Sequence, residues 1–315
     1  MRRTTIRSFK EGQDEDIWIE LVNIYYTRYH GEEYEPMDRD DIEWFENTPW
    51  WRNTNPLIAE ISDRPVGIIV PRLDKAYSPP KGFIWTFAVR PEIEGSEVER
   101  ALLEQAISWL SQKGAKEVQT TARDTMKKRI LLYKSKGFKP IRSFSIMRLK
   151  KEEVPSSVQL NPYVKLRRAY PLKKEEDLKV LNDIYNDAFL EHFNFRPTSP
   201  EEMRAWFKHE KYENFVLLAI LEDRPIGFIR ASVSRGIHEL KFKRGYIFLI
   251  CVLKPYRRKA IGTTLMIEGI KWLLSKGVEV IELGVDDENP TGAKRLYEKL
   301  GFKTVYKSLT FLKRL

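Results

Sequence analysis

The chain is written twice. "AEISDRPVGIIV" at 59 returns as "AILEDRPIGFIR" at 219, "WLSQKGAKEV" at 109 as "WLLSKGVEVI" at 272, and "LYKSKGFK" at 132 as "LYEKLGFK" at 296. All three pairs keep an offset near 160 residues, the length of a whole domain, so the period marks a duplication and not a solenoid of short repeats. A chain of 315 residues has room for two such domains. Between the copies "KKEEVPSSVQLNP", residues 150–162, is charged and then rich in Pro and Ser, as linkers are. The expectation is one domain over 1–153 and a second over 163–315.

Periodicity in the second copy can be followed in order. Val164 to Ala169 alternates as a short strand, and Glu175 to Phe189 and Pro200 to Phe207 have helical spacing, the latter behind Ser199 as cap. Asn214 to Leu221 and Pro225 to Val233 are apolar runs joined by "EDRP", a hairpin signature, and Tyr246 to Val252 reads as a buried strand. Then come a helix over Ile261 to Leu274 closed near Gly277, a strand over Val278 to Val285, a helix over Thr291 to Leu300, and a strand over Phe302 to Leu312. This order describes a mixed α/β (α+β) domain, with a parallel crossover around the helix at 261.

Composition bounds the chemistry. The longest apolar run, Tyr246 to Leu253, is far short of the roughly 20 residues of a membrane span, and the N-terminus lacks the apolar stretch of a signal peptide. A soluble, cytoplasmic protein with no membrane partner is expected. The single cysteine, Cys251, excludes an intrachain disulfide and a cysteine-clustered metal site. His30, His192, His209 and His238 are scattered without ligand spacing, so no metal is expected. The net charge of +10 divides unevenly, +1 over residues 1–155 and +9 over 156–315. A basic half attracts a nucleic acid, a nucleotide-like cofactor or an acidic substrate.

"KPYRRKAIGTTL", residues 254–265, narrows that choice. It falls where a buried strand ends and a helix begins, so the first turn's N–H groups lack intrahelical partners and the helix dipole adds partial positive charge. Gly262 has no side chain to keep a ligand off the backbone, and Arg257, Arg258 and Lys259 surround it with charge. The pattern asks for a phosphate.

With "DDENPTGAKRLYEKLGF" downstream, this stretch resembles the GCN5-related N-acetyltransferase (GNAT) superfamily. The family's cofactor signature, Arg or Gln, two residues, Gly, one residue, then Gly or Ala, is matched by Arg257, Ala260 and Gly262, with alanine in place of the first glycine. The resemblance implies a tandem GNAT acyl-CoA N-acyltransferase fold, two duplicated domains each with a central mixed sheet flanked by helices. It implies acetyl-CoA as acyl-donor substrate, its pyrophosphate on the backbone from Arg258 through Lys259, Ala260, Ile261 and Gly262 to Thr263. The pantetheine arm would run along the strand ending at Val252, beside Asn289, and Tyr297 would face the departing sulfur. N–H groups near Cys251 and Val252 would polarise the acyl carbonyl for direct attack by an amine in a ternary complex, with Tyr297 protonating the thiolate. Cys251 reads as a small buried strand residue, not a nucleophile.

The amine must lose a proton. By position along the chain the ionisable candidates are Glu239, ranked first, with His238 and Asp286. A small-molecule or peptide amine is the expected acceptor, and the sequence does not say which. Two other classes stay open: a non-catalytic CoA or acyl-CoA sensor, and a nucleic-acid binder using the basic half. The duplication could also stand in for a dimer, pairing the domains within a monomer.

In the first copy, setting Gly82 against Gly245 puts Glu94, Glu97 and Glu99 opposite Arg257, Ala260 and Gly262, and Tyr133 near Tyr297. Carboxylates there repel a diphosphate. The first domain is therefore expected to keep the fold without binding CoA. Trp50, Trp51 and Tyr34 read as core or interface aromatics.

Overall fold

The computed structural model describes residues 4–315; the first three residues, with which the N-terminal domain was expected to begin, lie outside the described residues. The first copy folds in the order β1 (Thr4–Ser8), α1 (Glu15–His30), α2 (Arg39–Glu46), β2 (Leu57–Ile61), β3 (Arg64–Asp74), β4 (Lys81–Val89), α3 (Glu97–Gln112), β5 (Glu117–Arg123), α4 (Lys127–Ser135) and β6 (Lys139–Lys150). The second repeats it: β7 (Lys165–Arg168), α5 (Glu175–Ala188), α6 (Pro200–Phe207), β8 (Tyr212–Leu221), β9 (Arg224–Ser234), β10 (Arg244–Val252), α7 (Ile261–Ser275), β11 (Val280–Asp286), α8 (Ala293–Lys299) and β12 (Lys303–Arg314). Among the described residues no helix is long and apolar enough to cross a membrane.

Local chemistry sets the breaks. The paired "DRP" motifs are hairpins: Ser62 and Asp63 have φ of 50° and 63°, Glu222 and Asp223 50° and 59°. Two successive left-handed residues give the turn whose twist matches the flanking strands. The helices α2 and α6 start on capping boxes, Asp38 with Asp41 and Ser199 with Glu202. Gly82 and Gly245 occupy the same place in each copy, where a Cβ would come within 2.9 Å of Leu110 and 2.7 Å of Leu273. A side chain there would have to displace the leucine of the covering helix.

The chain divides into two compact units, one made of the chain up to Ser143 with Lys307–Leu315, the other of Phe144–Tyr306. In the first, the sheet runs β1, β2, β3, β4, β5, and Ser308–Arg314 of β12 closes it against Arg123–Glu117. In the second, it runs β7, β8, β9, β10, β11, and Phe144–Lys150 of β6 closes it against Asp286–Val280. The sequence reading expected contiguous domains over 1–153 and 163–315. Instead, each copy's last strand completes the sheet built from the other copy, because the edge left by β5 or β11 is filled by pairing that local sequence does not specify. The expected linker is a single turn, Lys151–Glu153, followed by irregular chain to Val164.

In the second unit, α7 lays Leu265, Met266, Ile270 and Leu273 on one face of the sheet. Helices α5 and α6 lay Leu178, Leu181, Met203 and Phe207 on the other, against Phe228 and Cys251. Each such side chain contributes about 1.5–3 kcal/mol on burial, enough to hold α7 and its leading loop rigidly at the end of β10.

Candidate functional site

Strands β10 and β11 run parallel but pair only where Arg244–Tyr246 meets Val280–Glu282. Beyond that, β10 stays bonded to β9 as far as Val252, and β11 to β6 as far as Asp286, so the two strands part and their facing edges lie open. Leu253 N–H donates to Ile226 O at 2.9 Å. Bonded pairs alternate in an antiparallel ladder, so Cys251, opposite Phe228, spends its main-chain groups on β9. Those of Ile250 and Val252 turn to the gap. The sequence reading paired Cys251 with Val252 as polarising amides; the register gives that position to Ile250 and Val252. The ladder also slips register between Ile247 and Leu249, pushing out Phe248. The resulting cleft, about 620 Å³, is lined by Cys251, Gly262, Asp286, Asn289 and Tyr297 among others.

At its mouth the loop from Arg257 to Ala260 is wound for anions. Arg257 is extended, Arg258 has φ of 64°, and Ala260 is left-handed at φ 57°, ψ 8°. Left-handed residues in such a turn aim successive N–H groups into one concavity. Among the described residues, the main-chain N–H groups from Arg258 to Thr263 find no acceptor in the chain. A Cβ on Gly262 would meet only ordinary contacts, Leu296 at 3.4 Å and Ile250 at 3.9 Å. The missing side chain therefore leaves room for something outside the protein.

Two residues brace the loop from behind. Arg257 donates through Nε to Val252 O at 3.0 Å and through Nη2 to Ala188 O at 2.9 Å, with Glu191 at 3.3 Å from Nη1. Its amide is bonded to Lys254 O. The first residue of the signature, expected to bind cofactor, is thus a strut whose donors are occupied. Asn161, from the linker, donates through Nδ2 to Lys259 O at 2.7 Å, and its N–H donates to Thr264 Oγ1 at 2.9 Å. Thr264 in turn donates to Ala260 O at 3.0 Å.

Deeper in, Tyr297 is buried yet its hydroxyl makes no hydrogen bond among the described residues. Its pKa is pushed up by burial, with Cys251 adding to the effect. The counterpart Tyr133 is different: its hydroxyl accepts from Thr120 Oγ1 at 3.1 Å in a closed core. Burial also pushes the Cys251 thiol well up, so it is no thiolate nucleophile. Asn289 Oδ1 accepts from Thr291 N at 2.8 Å and Thr291 Oγ1 at 2.6 Å. It caps its own turn while Nδ2 finds no acceptor among the described residues.

Glu239 does not reach the cleft. It and His238 are exposed in the loop before β10, where His238 lies 3.3 Å from a Cβ built on Gly277, past the C-terminal end of α7. The phosphate-type loop is at the other end of that 15-residue helix, roughly 20 Å away at 1.5 Å per residue. Sequence proximity to β10 misled because a strand has two ends. The groups that do line the cleft are Asp286, buried at the end of β11, and His192, which sequence reasoning set aside. The His192 ring lies 4.1 Å from Phe189, and burial, helped by Arg257, pushes its pKa below its usual value against the weaker pull of Asp286 and Glu191. Burial thus favours its neutral form. Its only signal was a place in the loop after a predicted helix, which carries no period.

In the first unit the corresponding cleft is filled from within. Strands β4 and β5 part after Lys81–Phe83 and Glu117–Gln119. Glu99 Oε2 takes the Gly95 N–H at 2.5 Å, and Arg129 approaches Glu99 Oε1 at 2.9 Å while donating to Phe87 O at 2.7 Å. The Phe87 ring lies 3.7 Å from that guanidinium and Tyr25 4.8 Å. Three ligand-repelling carboxylates were expected. Glu97 instead points to solvent with Arg100, Glu94 accepts from Tyr29 and pairs with Arg28 at 3.2 Å, and Glu99 is a built-in anion on its own loop.

Duplicated mixed-sheet units, with parted parallel strands and an anion loop in one, define a class of acyl-transfer enzyme. The acetyltransferase (GNAT) family matches residues 18–138 and 178–302, and the chain belongs to that family. It is 34% identical over 119 residues to an N-alpha-acetyltransferase of Saccharolobus solfataricus, covering 35% of this chain and 71% of the relative. It is 29% identical over 170 residues to the mycothiol acetyltransferase of an Arthrobacter species, covering 53% of this chain and 51% of the relative. A tandem GNAT protein from the clavulanic acid biosynthesis pathway superposes with a TM-score of 0.77 over 99% of this chain and 98% of its own, at 14% identity. That likeness shows the fold. The protein is an acetyltransferase of tandem GNAT architecture.

Proposed function

We propose that the second unit transfers the acetyl group of acetyl-CoA to an amine by direct attack, and that the first unit keeps the fold without taking CoA. The observation that carries this reading is the row of unclaimed N–H groups from Arg258 to Thr263 at the mouth of a parted pair of parallel strands. Those amides suit a diphosphate, and the open edge of β10 at Ile250 and at the Val252 N–H suits an amide-bearing chain laid beside it. A thioester supplies the activated acyl group; the protein's own residues do the rest. Unpaired β10 N–H groups stabilise negative charge growing on the acyl oxygen. Tyr297, kept protonated by burial, offers its proton to the departing sulfur. His192, whose pKa burial lowers and which lines the cleft with Asp286, takes the proton released by the attacking amine, directly or through water. The C–N bond forms as the C–S bond breaks. No enzyme nucleophile is needed, which agrees with the inert Cys251.

The names of the relatives favour a peptide α-amine or a small-molecule amine as acceptor. The test is calorimetry of the full-length chain with CoA, followed by thiol release from acetyl-CoA with a panel of both kinds of amine. CoA uptake together with amine-dependent release supports the reading. No uptake at millimolar CoA sinks it, and uptake without release by any amine leaves a CoA-binding sensor.

A further inference from the structure

Four enclosed arginines of this chain have carboxylates: Arg129 has Glu99 at 2.9 Å, Arg148 and Arg244 share Glu282 at 2.7 Å and 3.1 Å, and Arg72 has Asp74 at 2.8 Å. Arg230 has none. It lies on β9 two residues after Phe228, on the face turned to α5 and α6. Its Nε donates to Asn214 Oδ1 at 2.9 Å and its Nη2 to Trp206 O at 2.6 Å, both neutral acceptors. Among the described residues Nη1 has no acceptor, and burial pushes the pKa down to about 9 with no anion opposing it. The rings of Phe207 and Phe248 each lie 4.9 Å from the guanidinium.

Holding a cation among aromatic rings without a counter-ion costs stability that an apolar residue would not. The position explains what the cost serves. Arg230 is the cross-strand partner of Leu249, which lines the cleft, and Phe248, 48% exposed at the break in the ladder, lies against the guanidinium and itself lines that cleft. This is the sheet face opposite α7, so a ligand here approaches the parted strands from the side away from the anion loop. One positive charge in neutral surroundings matches a monoanion better than a phosphate dianion. The flat guanidinium edge between two rings suits a carboxylate lying in its plane.

We propose that Arg230 is a specificity-determining residue that binds, through Nη1, the carboxylate of an acceptor amine that is itself amino-acid-like, an inference that rests on the acyl-transfer reading of this cleft. The recognised acceptor carries its amine and a free carboxylate on one small framework.

Equilibrium binding tests this without turnover. Full-length protein saturated with CoA is titrated calorimetrically with N-acetyl amino acids and with their C-terminal amides. At least one acid is expected to bind tenfold or more tightly than its amide. In R230Q that preference falls below twofold; in R230K, which keeps the charge and loses the planar fork, it falls partway, and either folded variant decides the matter. Acids and amides binding alike, no acid binding at all, or an undiminished preference in a folded variant overturns the proposal. Release of CoA with the free amines is read separately: acid binding without any release overturns the transfer reading and leaves the subsite standing.

Discussion

Tyr297 and Tyr133 occupy matching places in the two copies and separate function from packing. Tyr133 has its hydroxyl bonded to Thr120 and its ring against Phe138 and Phe311, so Tyr133→Phe is expected to cost about 1 kcal/mol and leave turnover alone. Tyr297→Phe removes a hydroxyl with no partner among the described residues, so the unfolding midpoint should hold while kcat falls roughly 100-fold at unchanged KM for acetyl-CoA. Steady-state kinetics beside thermal unfolding checks both variants. His192 sets a pH dependence of fixed sign. A base works unprotonated, and burial lowers its pKa, so kcat/KM should rise as pH climbs through a value below 6.5 and be flat above it until the acceptor titrates. In His192→Gln that acid limb disappears and the plateau drops; a limb that survives assigns the proton to another group. That Cys251 is buried, and that Tyr297 and the loop fall on one cleft, was legible from residue type and motif. His192 was not, because its meaning lies in the cleft it shares with the ends of β10 and β11, both far from it along the chain.

The element that makes the site is the turn between β10 and α7. Alanine holds a left-handed position at 260 where the family signature has glycine. That conformation costs an L-residue about 1 kcal/mol, while glycine gives back 0.5–1 kcal/mol in unfolded-state entropy. Ala260→Gly should therefore stay within about 1 kcal/mol of the parent and bind CoA equally well. Ala260→Val, β-branched and unable to adopt that region cheaply, should weaken CoA binding tenfold or more by calorimetry. Asn161→Ala frees the Lys259 carbonyl, so KM for acetyl-CoA should rise several-fold with little change in kcat. The turn itself was readable because Pro, Gly and basic residues mark it locally. The brace from Asn161 was not, since residues 98 apart meet there. Helix and strand positions in the second copy followed the apolar period closely, α7 being expected over 261–274 and found over Ile261–Ser275.

At the scale of the molecule, duplication was plain in the sequence and the strand exchange was invisible, because Phe302 to Leu312 reads as a strand whichever sheet receives it. The exchange makes contiguous fragments poor tests of either copy. Deleting residues 307–315 strips the edge of β5 and removes Phe311, wholly buried in the first unit. Losing that side chain alone costs about 3–5 kcal/mol, so hydrogen exchange at Glu117–Arg123 should accelerate far more than at β9. Equal protection in the truncated chain would argue against the pairing. For the same reason, whether the first unit takes CoA is a question for the intact chain. Arg129 and Glu99 fill its parted strands with a buried pair, and displacing them would strand two charges at 3–5 kcal/mol or more, beyond what a diphosphate facing Glu94 and Glu99 could return. Calorimetry of full-length protein should therefore give a stoichiometry of one CoA per chain, and Ala260→Val should weaken that single event and leave no second, unaffected site. A stoichiometry of two, or a residual site in the variant, would show that the first cleft opens.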